Sequence, residues 1–322
     1  MKILVTGGAG FIGSNIVEAL LADDRVDIVR VLDNLSTGFK HNIRAFFNHP
    51  KFDFIEGDIR DYDTCIKACK GIDLISHQAA LGSVPRSIKD PLTTNAINIT
   101  GFLNLFTAAK ESQIKRVIFA ASSSTYGDSQ ELPKVEDRIG VPLSPYAVTK
   151  YVNELYAKVY SDIYDIEFIG LRYFNIFGPK QSPTGAYVAV IPLFLKAAMD
   201  GQAPTINGDG TFSRDFTFVS NAVQANILGL FTQNAEAVNQ IYNIACGERT
   251  TLNELWQYIG EAANTNLQPN YGPKRMGDIP HSLADISKAT RLLNYSPIVG
   301  IKEGLQILAN SWQSSLKMCE PL

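Results

Sequence analysis

Short apolar runs alternate with amphipathic stretches through the first half of the chain. The runs Lys2–Thr6, Ile28–Asp33, Phe52–Glu56, Leu74–His77, Arg116–Ala121 and Ile166–Leu171 have strand length and are rich in Val, Ile and Phe. Between them, Phe11–Leu21, Tyr62–Cys69, Thr93–Glu111 and Pro145–Tyr164 carry apolar positions at helical spacing. Strand, helix, strand at this rhythm predicts βαβ units, whose right-handed crossovers build a parallel sheet. Ile3-Leu4-Val5 and Val117-Ile118-Phe119 show no polar alternation, as befits strands covered on both faces. The predicted class is α/β: a doubly wound, Rossmann-type parallel sheet with a smaller C-terminal α+β lobe.

After about Asn175 the rhythm changes. Pro179, Pro183 and Pro192 punctuate a loop-rich stretch, followed by a predicted helix, Ile191–Met199, and a short strand, Thr205–Asn207. Asp215–Phe231 reads as a strand–helix unit able to rejoin the first sheet, and Thr251–Ala263 and Ile301–Leu316 read as helices of the smaller lobe. The expected division is 1–175, rejoined by about 214–232, and a second lobe from 176 to 322.

Composition narrows the class. With 45% apolar and 19% charged residues over 322 positions, the chain can bury a sizeable core. The net charge of −3 comes without any basic run, so nothing suggests a nucleic-acid partner. Cys65, Cys69, Cys246 and Cys319 are too few for a disulfide scaffold and have no histidine at zinc spacing, so no metal is expected. The first apolar run stops too early for a signal peptide, and Pro192 interrupts Tyr187–Leu195, far short of a membrane span. A cytoplasmic protein without a membrane partner is expected.

Thr6-Gly7-Gly8-Ala9-Gly10-Phe11-Ile12-Gly13 joins the first strand to the first helix. Gly7 suits a tight turn, Gly10 a close approach of backbone to pyrophosphate, and Gly13 close packing of helix on strand. The helix N-terminus, at Phe11 and Ile12, offers free N–H groups and partial positive charge to phosphates. Asp33 follows Gly13 by twenty residues at the second strand's end, where a carboxylate accepts ribose hydroxyls and repels a 2′-phosphate. Asn34-Leu35-Ser36 and Gly38 bring no arginine, which favours NAD over NADP. Asp58, beside Ile59 after the third strand, is placed for the adenine edge.

Ser122-Ser123-Ser124-Thr125-Tyr126 follows the fifth strand, and Tyr146 and Lys150 lie one turn apart at a helix start. A phenol needs its pKa lowered by roughly 3 units, about 4 kcal/mol, to act as a base near pH 7. An ammonium about 4 Å away supplies energy of that order at an effective dielectric near 20. Ser122, Tyr146 and Lys150 are therefore the candidate proton-transfer set.

The Gly-x-x-Gly-x-x-Gly spacing, His77-Gln78-Ala79-Ala80 after the fourth strand, and Ser122 with Tyr146 and Lys150 together resemble the extended short-chain dehydrogenase/reductase family. That resemblance covers nearly the whole chain. It implies NAD in the first lobe, touched also by Gln78, Tyr173 and Ile176, and a nucleotide sugar in the second. It further implies Tyr146 as base, Lys150 as its partner and Ser122 on the sugar oxygen. Family dehydratases carry an Asp-Glu pair at the positions of Ser123 and Ser124, so loss of water is disfavoured and 4-epimerisation through a 4-keto sugar is expected.

The resemblance also places Ser83, Ser123, Ser124, Asn175 and Asn207 near the sugar nucleotide. Arg214 and Arg275 stand as clamps on the diphosphate, with Asp278 toward the ribose. Ser282 stands where UDP-galactose epimerases carry tyrosine, leaving room for an N-acetyl group. The expected substrates are a UDP-hexose pair, preferentially UDP-N-acetylglucosamine and UDP-N-acetylgalactosamine. A UDP-hexuronic acid, plain or N-acetylated, is the alternative, a 4,6-dehydratase a weaker one, and an NAD sensor without turnover is disfavoured. The helices Thr93–Glu111 and Pro145–Tyr164 carry Phe102, Leu105, Phe106, Tyr151, Leu155, Tyr156 and Tyr160, more apolar surface than one sheet face covers, and the resemblance, whose members pair these two helices, implies a homodimer.

Overall fold

The computed structural model describes residues 1–183, 188–274 and 279–318. Seven strands form one sheet: β1 (Lys2–Thr6), β2 (Ile28–Asp33), β3 (Phe52–Glu56), β4 (Leu74–His77), β5 (Arg116–Ser122), β6 (Glu167–Tyr173) and β7 (Gln240–Ile244). Their spatial order is β3-β2-β1-β4-β5-β6-β7, and every neighbouring pair is parallel. The chain starts in the middle, winds out to β3 and returns to β4. The order therefore reverses between β1 and β4, which opens a crevice at the strands' carboxyl ends.

Side-chain alternation explains why apolar runs without polar breaks form these strands. On β1, Ile3 and Val5 face a core built with Ile16, Val17 and Leu20 of α1 (Phe11–Leu21), while Leu4 faces the opposite core. That second core holds Cys65 and Cys69 of α2 (Tyr62–Cys69) and Phe102 and Phe106 of α3 (Gly101–Glu111). All three β1 side chains are fully buried, each contributing roughly 1.5–3 kcal/mol. α4 (Pro145–Tyr164) packs on the α3 side, its start fixed by Ser144, whose Oγ accepts the Ala147 N–H at 3.1 Å.

The smaller lobe gathers Phe194 and Leu195 of α5 (Val190–Met199), Leu255 and Ile259 of α7 (Leu252–Ala263) and Leu305 and Leu308 of α8 (Ile301–Met318) around Ile206. Between α5 and α7 in sequence, α6 (Val219–Phe231) returns to the large sheet and buries Ala222 and Ala225 beside α1. The strand before it does not enter that sheet: Thr217–Phe218 pairs with Ile176–Phe177 instead. The seventh strand comes from Gln240–Ile244, which the pattern did not predict because it offers few consecutive apolar positions.

The Thr93–Glu111 stretch is also more broken than its periodicity predicts. It runs as a short helix, Pro91–Asn95, then a wide π-helical turn, Ala96–Thr100, then α3. The wide turn aims Asn98 inward, where its Oδ1 accepts the Leu81 N–H at 2.7 Å and its Nδ2 donates to Thr149 Oγ1 at 3.1 Å.

The residues from which self-association was expected divide in two. Phe102, Leu105 and Phe106 are fully buried within the chain's own core and need no partner, and Tyr151, Tyr156 and Tyr160 are half-buried. Of the expected residues only Leu155 is exposed; Val148, Val159 and Ile163 of α4, which were not among them, are exposed beside it. Among the described residues, no helix is long and apolar enough to cross a membrane.

Candidate active site

One cavity of about 430 Å³ opens at the crevice between β1 and β4. Its floor is the turn from Gly7 to Gly13. Gly7 adopts φ +68°, and a side chain there would collide with the Ala79 main chain; one at Gly13 would strike the Gly7 carbonyl. Gly10 caps α1 with no side-chain bond, and the first turn carries no acid, so the amides at Phe11 and Ile12 keep their positive field for an anion. The cradle suits a pyrophosphate.

Asp33 ends β2 at the rim of the same cavity, beside Gly38, with its carboxylate accepting Ala9 N–H at 2.9 Å and Leu35 N–H at 2.8 Å. Burial pushes its pKa up from the ordinary value, against those two bonds. Each oxygen keeps a lone pair for a ribose hydroxyl. Asp58 is held by Arg60, in a salt bridge of 2.7 Å, and by Asn34 Nδ2 at 2.8 Å, which bring its pKa down to about 2 despite partial burial. Asp58, Asn34 and Ile59 line the cavity together.

The opposite wall carries the proton-transfer candidates. Ser122 ends β5, Tyr146 and Lys150 open α4, and all three line the cavity. Lys150 Nζ donates to the Ala120 carbonyl at 2.7 Å and lies 6.0 Å from the centre of the Tyr146 ring. Burial lowers the Lys150 pKa to about 8, with Glu154 one turn on pulling it back up. The Tyr146 phenol is pushed up by burial and drawn down by a hydrogen bond with Ser122. The chain alone therefore does not acidify the phenol: desolvation prevails over the Ser122 bond.

Gln78, Tyr173 and Ile176 close the cavity on the α6 side. Gln78 is fixed through both ends of its amide: Oε1 accepts from Tyr173 OH at 3.1 Å, and Nε2 donates to Asn226 Oδ1 at 3.0 Å. Asn226 Nδ2 in turn donates to Tyr173 OH at 2.7 Å. Beneath them, buried His77 meets Thr6 Oγ1 at 2.6 Å through Nδ1, and burial brings its pKa down to about 3, so the ring is neutral. Thr6, Asn98 and Asn226 were not foreseen as site residues. Their only sequence signal is a polar side chain at a position where the periodicity calls for an apolar one.

The residues expected to meet a second ligand are not all brought together. Asn175, at φ +39°, lines the cavity, and Ser124 Oγ lies 2.8 Å from Ser122 Oγ beside Ser123 on the turn after β5. Ser83 caps a short helix, its Oγ accepting the Arg86 N–H, one residue beyond the cavity wall at Gly82. Arg214 and Ser282 are neighbours in the smaller lobe: Arg214 Nη1 and Ser282 N both donate to Ser213 O, at 2.9 and 3.0 Å. Asn207 ends a separate ribbon, paired with Gly272. Arg275 and Asp278 lie outside the described residues.

A putative UDP-glucose 4-epimerase of Methanocaldococcus jannaschii is 38% identical over 310 residues, covering 96% of this chain and 97% of the relative. The UDP-N-acetylglucosamine 4-epimerase of Methanobrevibacter ruminantium M1, solved with UDP-N-acetylmuramic acid, superposes with a TM-score of 0.91 at 40% identity over 98% of both chains. The UDP-glucuronic acid 4-epimerase of Bacillus cereus, solved with UDP-glucuronic acid and NAD, gives 0.89 at 31% identity over 98% of this chain and all of that one. Residues 3–245, which hold the glycine turn, Asp33 and the Ser122–Tyr146–Lys150 wall, match one family along their whole length. The chain belongs to the NAD dependent epimerase/dehydratase family, and NAD is its cofactor.

Proposed function

We propose that the chain interconverts UDP-hexoses at C4, with UDP-N-acetylglucosamine and UDP-N-acetylgalactosamine as its preferred pair. One observation carries this reading: Ser122, Tyr146 and Lys150 share a single wall opposite a dinucleotide cradle. The cradle from Gly7 to Gly13 and Asp33 would hold NAD, which would supply the oxidant and reductant for a sugar carbinol and, when oxidised, positive charge. Tyr146 takes the hydroxyl proton as the 4-keto sugar forms and returns it when the opposite face is reduced. Ser122, within hydrogen-bonding reach of the phenol, orients the same sugar oxygen. Lys150 keeps its charge directed at that group from an anchored position on the Ala120 carbonyl.

Loss of water would require an acid and a base at the neighbouring sugar carbons. At the two positions where the resemblance puts a dehydratase's Asp-Glu pair this chain has Ser123 and Ser124, poor candidates for either role. Asn175 and Arg214 are assigned to the diphosphate, joined by Arg275, with Asp278 toward the ribose and Asn207 and Ser83 at the edge of the pocket. The preference for an N-acetylated sugar is supported by the small side chain of Ser282 and by the 40% identity to the M. ruminantium enzyme.

The test is turnover of UDP-N-acetylglucosamine, UDP-glucose and UDP-glucuronic acid, each with its epimer resolved chromatographically. The N-acetylated pair is expected to lead in kcat/KM by at least about tenfold. Fastest turnover of the uronic acid would remove the sugar assignment, and accumulation of a 4-keto-6-deoxy product would replace epimerisation by dehydration.

The proposed enzyme is a cytoplasmic homodimer. Val148, Leu155, Val159 and Ile163 make one stripe along α4 at helical spacing, 45–65% exposed, and a second copy is its simplest cover. Light scattering that gives a monomer mass at micromolar concentration would dismiss the dimer.

A further inference from the structure

Asp215 takes no part in the steps above, yet its side chain is completely buried. Its Oδ1 accepts the Cys246 N–H at 2.9 Å, and its Oδ2 accepts those of Gly247 at 3.0 Å and Ala284 at 3.3 Å. Its main-chain carbonyl accepts Asn175 Nδ2 at 2.9 Å. Among the described residues no cation pairs with it, and main-chain dipoles alone compensate the buried carboxylate there. Burial pushes its pKa up to about 7 while the three N–H bonds pull against that.

The segments it joins are those that hold the proposed diphosphate and sugar contacts. Arg214 is the preceding residue, Ser282 lies two residues before the captured Ala284, and Asn175 is bonded directly. A second tie runs parallel: Ser213 Oγ meets His281 Nδ1 at 2.9 Å, and Ser213 N donates to Pro280 O at 3.0 Å. A carboxylate has acceptors for several N–H donors at once, which no neutral side chain of the same size provides. That capacity explains an acid in a wholly buried position.

We infer that Asp215 is the positioning residue of the sugar-nucleotide site, fixing Asn175, Arg214 and Ser282 relative to one another without touching the ligand. This rests on the roles proposed above for those three residues. In D215N the amide turns a donor toward main-chain donors, so at least one of the three ties is lost and the neighbouring segments shift.

The experiment uses the holoenzyme of wild type and D215N. It reads NAD content, melting temperature, KM and kcat for UDP-N-acetylglucosamine, and Kd for UDP by calorimetry. NAD content is expected to be unchanged, KM and the UDP Kd to rise about tenfold or more, and kcat to stay within about threefold. Unchanged KM and Kd, or a loss confined to kcat, would overturn the inference.

If D215N does not fold, S213A removes the Ser213 Oγ–His281 Nδ1 bond of the parallel tie, leaving its main-chain bonds and the buried carboxylate in place. It is expected to weaken UDP binding about threefold, and unaltered binding would be the contrary result. Should the wild type turn over no UDP-sugar while UDP affinity still falls in D215N, the catalytic reading fails and the positioning role stands.

Discussion

Replacing Lys150 by methionine removes an ammonium while keeping most of its apolar stem. The charge lies 6.0 Å from the centre of the Tyr146 ring. With the delocalised phenolate charge taken at the ring centre and an effective dielectric near 20, a unit charge stabilises it by about 3 kcal/mol, or about 2 pKa units. The ascending limb of the kcat/KM–pH profile should therefore move up by about 2 units, and activity near pH 7 should fall about 100-fold. Because burial sets the Lys150 pKa at about 8, its help is present below that pH and fades as pH rises through it. Wild type and variant should thus converge in alkaline solution. The assay is epimerisation of UDP-N-acetylglucosamine from about pH 6 to about pH 10, with NAD content measured alongside. An equal loss at every pH, with the limb unmoved and NAD retained, would refute the electrostatic role.

Tyr146→Phe removes the proton acceptor and should cost about 10²–10⁴ in kcat while NAD remains bound; near-normal turnover would exclude Tyr146 as base. Ser282→Tyr should fill the space assigned to the N-acetyl group and lower kcat/KM for UDP-N-acetylglucosamine at least about tenfold more than for UDP-glucose. Equal losses on the two sugars would remove Ser282 from the specificity argument. Glu154→Gln leaves Arg172 buried without its carboxylate, from a bidentate pair at 2.9 and 2.7 Å whose members are only 4% and 6% exposed. Denaturant titration should show a loss of about 3–5 kcal/mol, and a loss below about 1 kcal/mol would mean the interior relaxes around the charge.

The local pattern determined the elements that stand alone energetically. α1, α2 and α4 and the strands β1 to β4 fall where the chain's own periodicity puts them, because apolar runs and caps act within a few residues. The glycine turn and the i, i+4 spacing of Tyr146 and Lys150 are equally local, and the residues expected around the dinucleotide line one cavity. Only the tertiary structure decided what depends on distant partners. β7 is a strand because β6 offers it a ladder, and Asn98, Asn226 and Asp215 matter through bonds to residues 17 to 148 positions away. The charge state of the Tyr146 wall was decided there too. Spacing along a helix sets which groups are neighbours, but the desolvation that opposes their ionisation depends on everything folded around them.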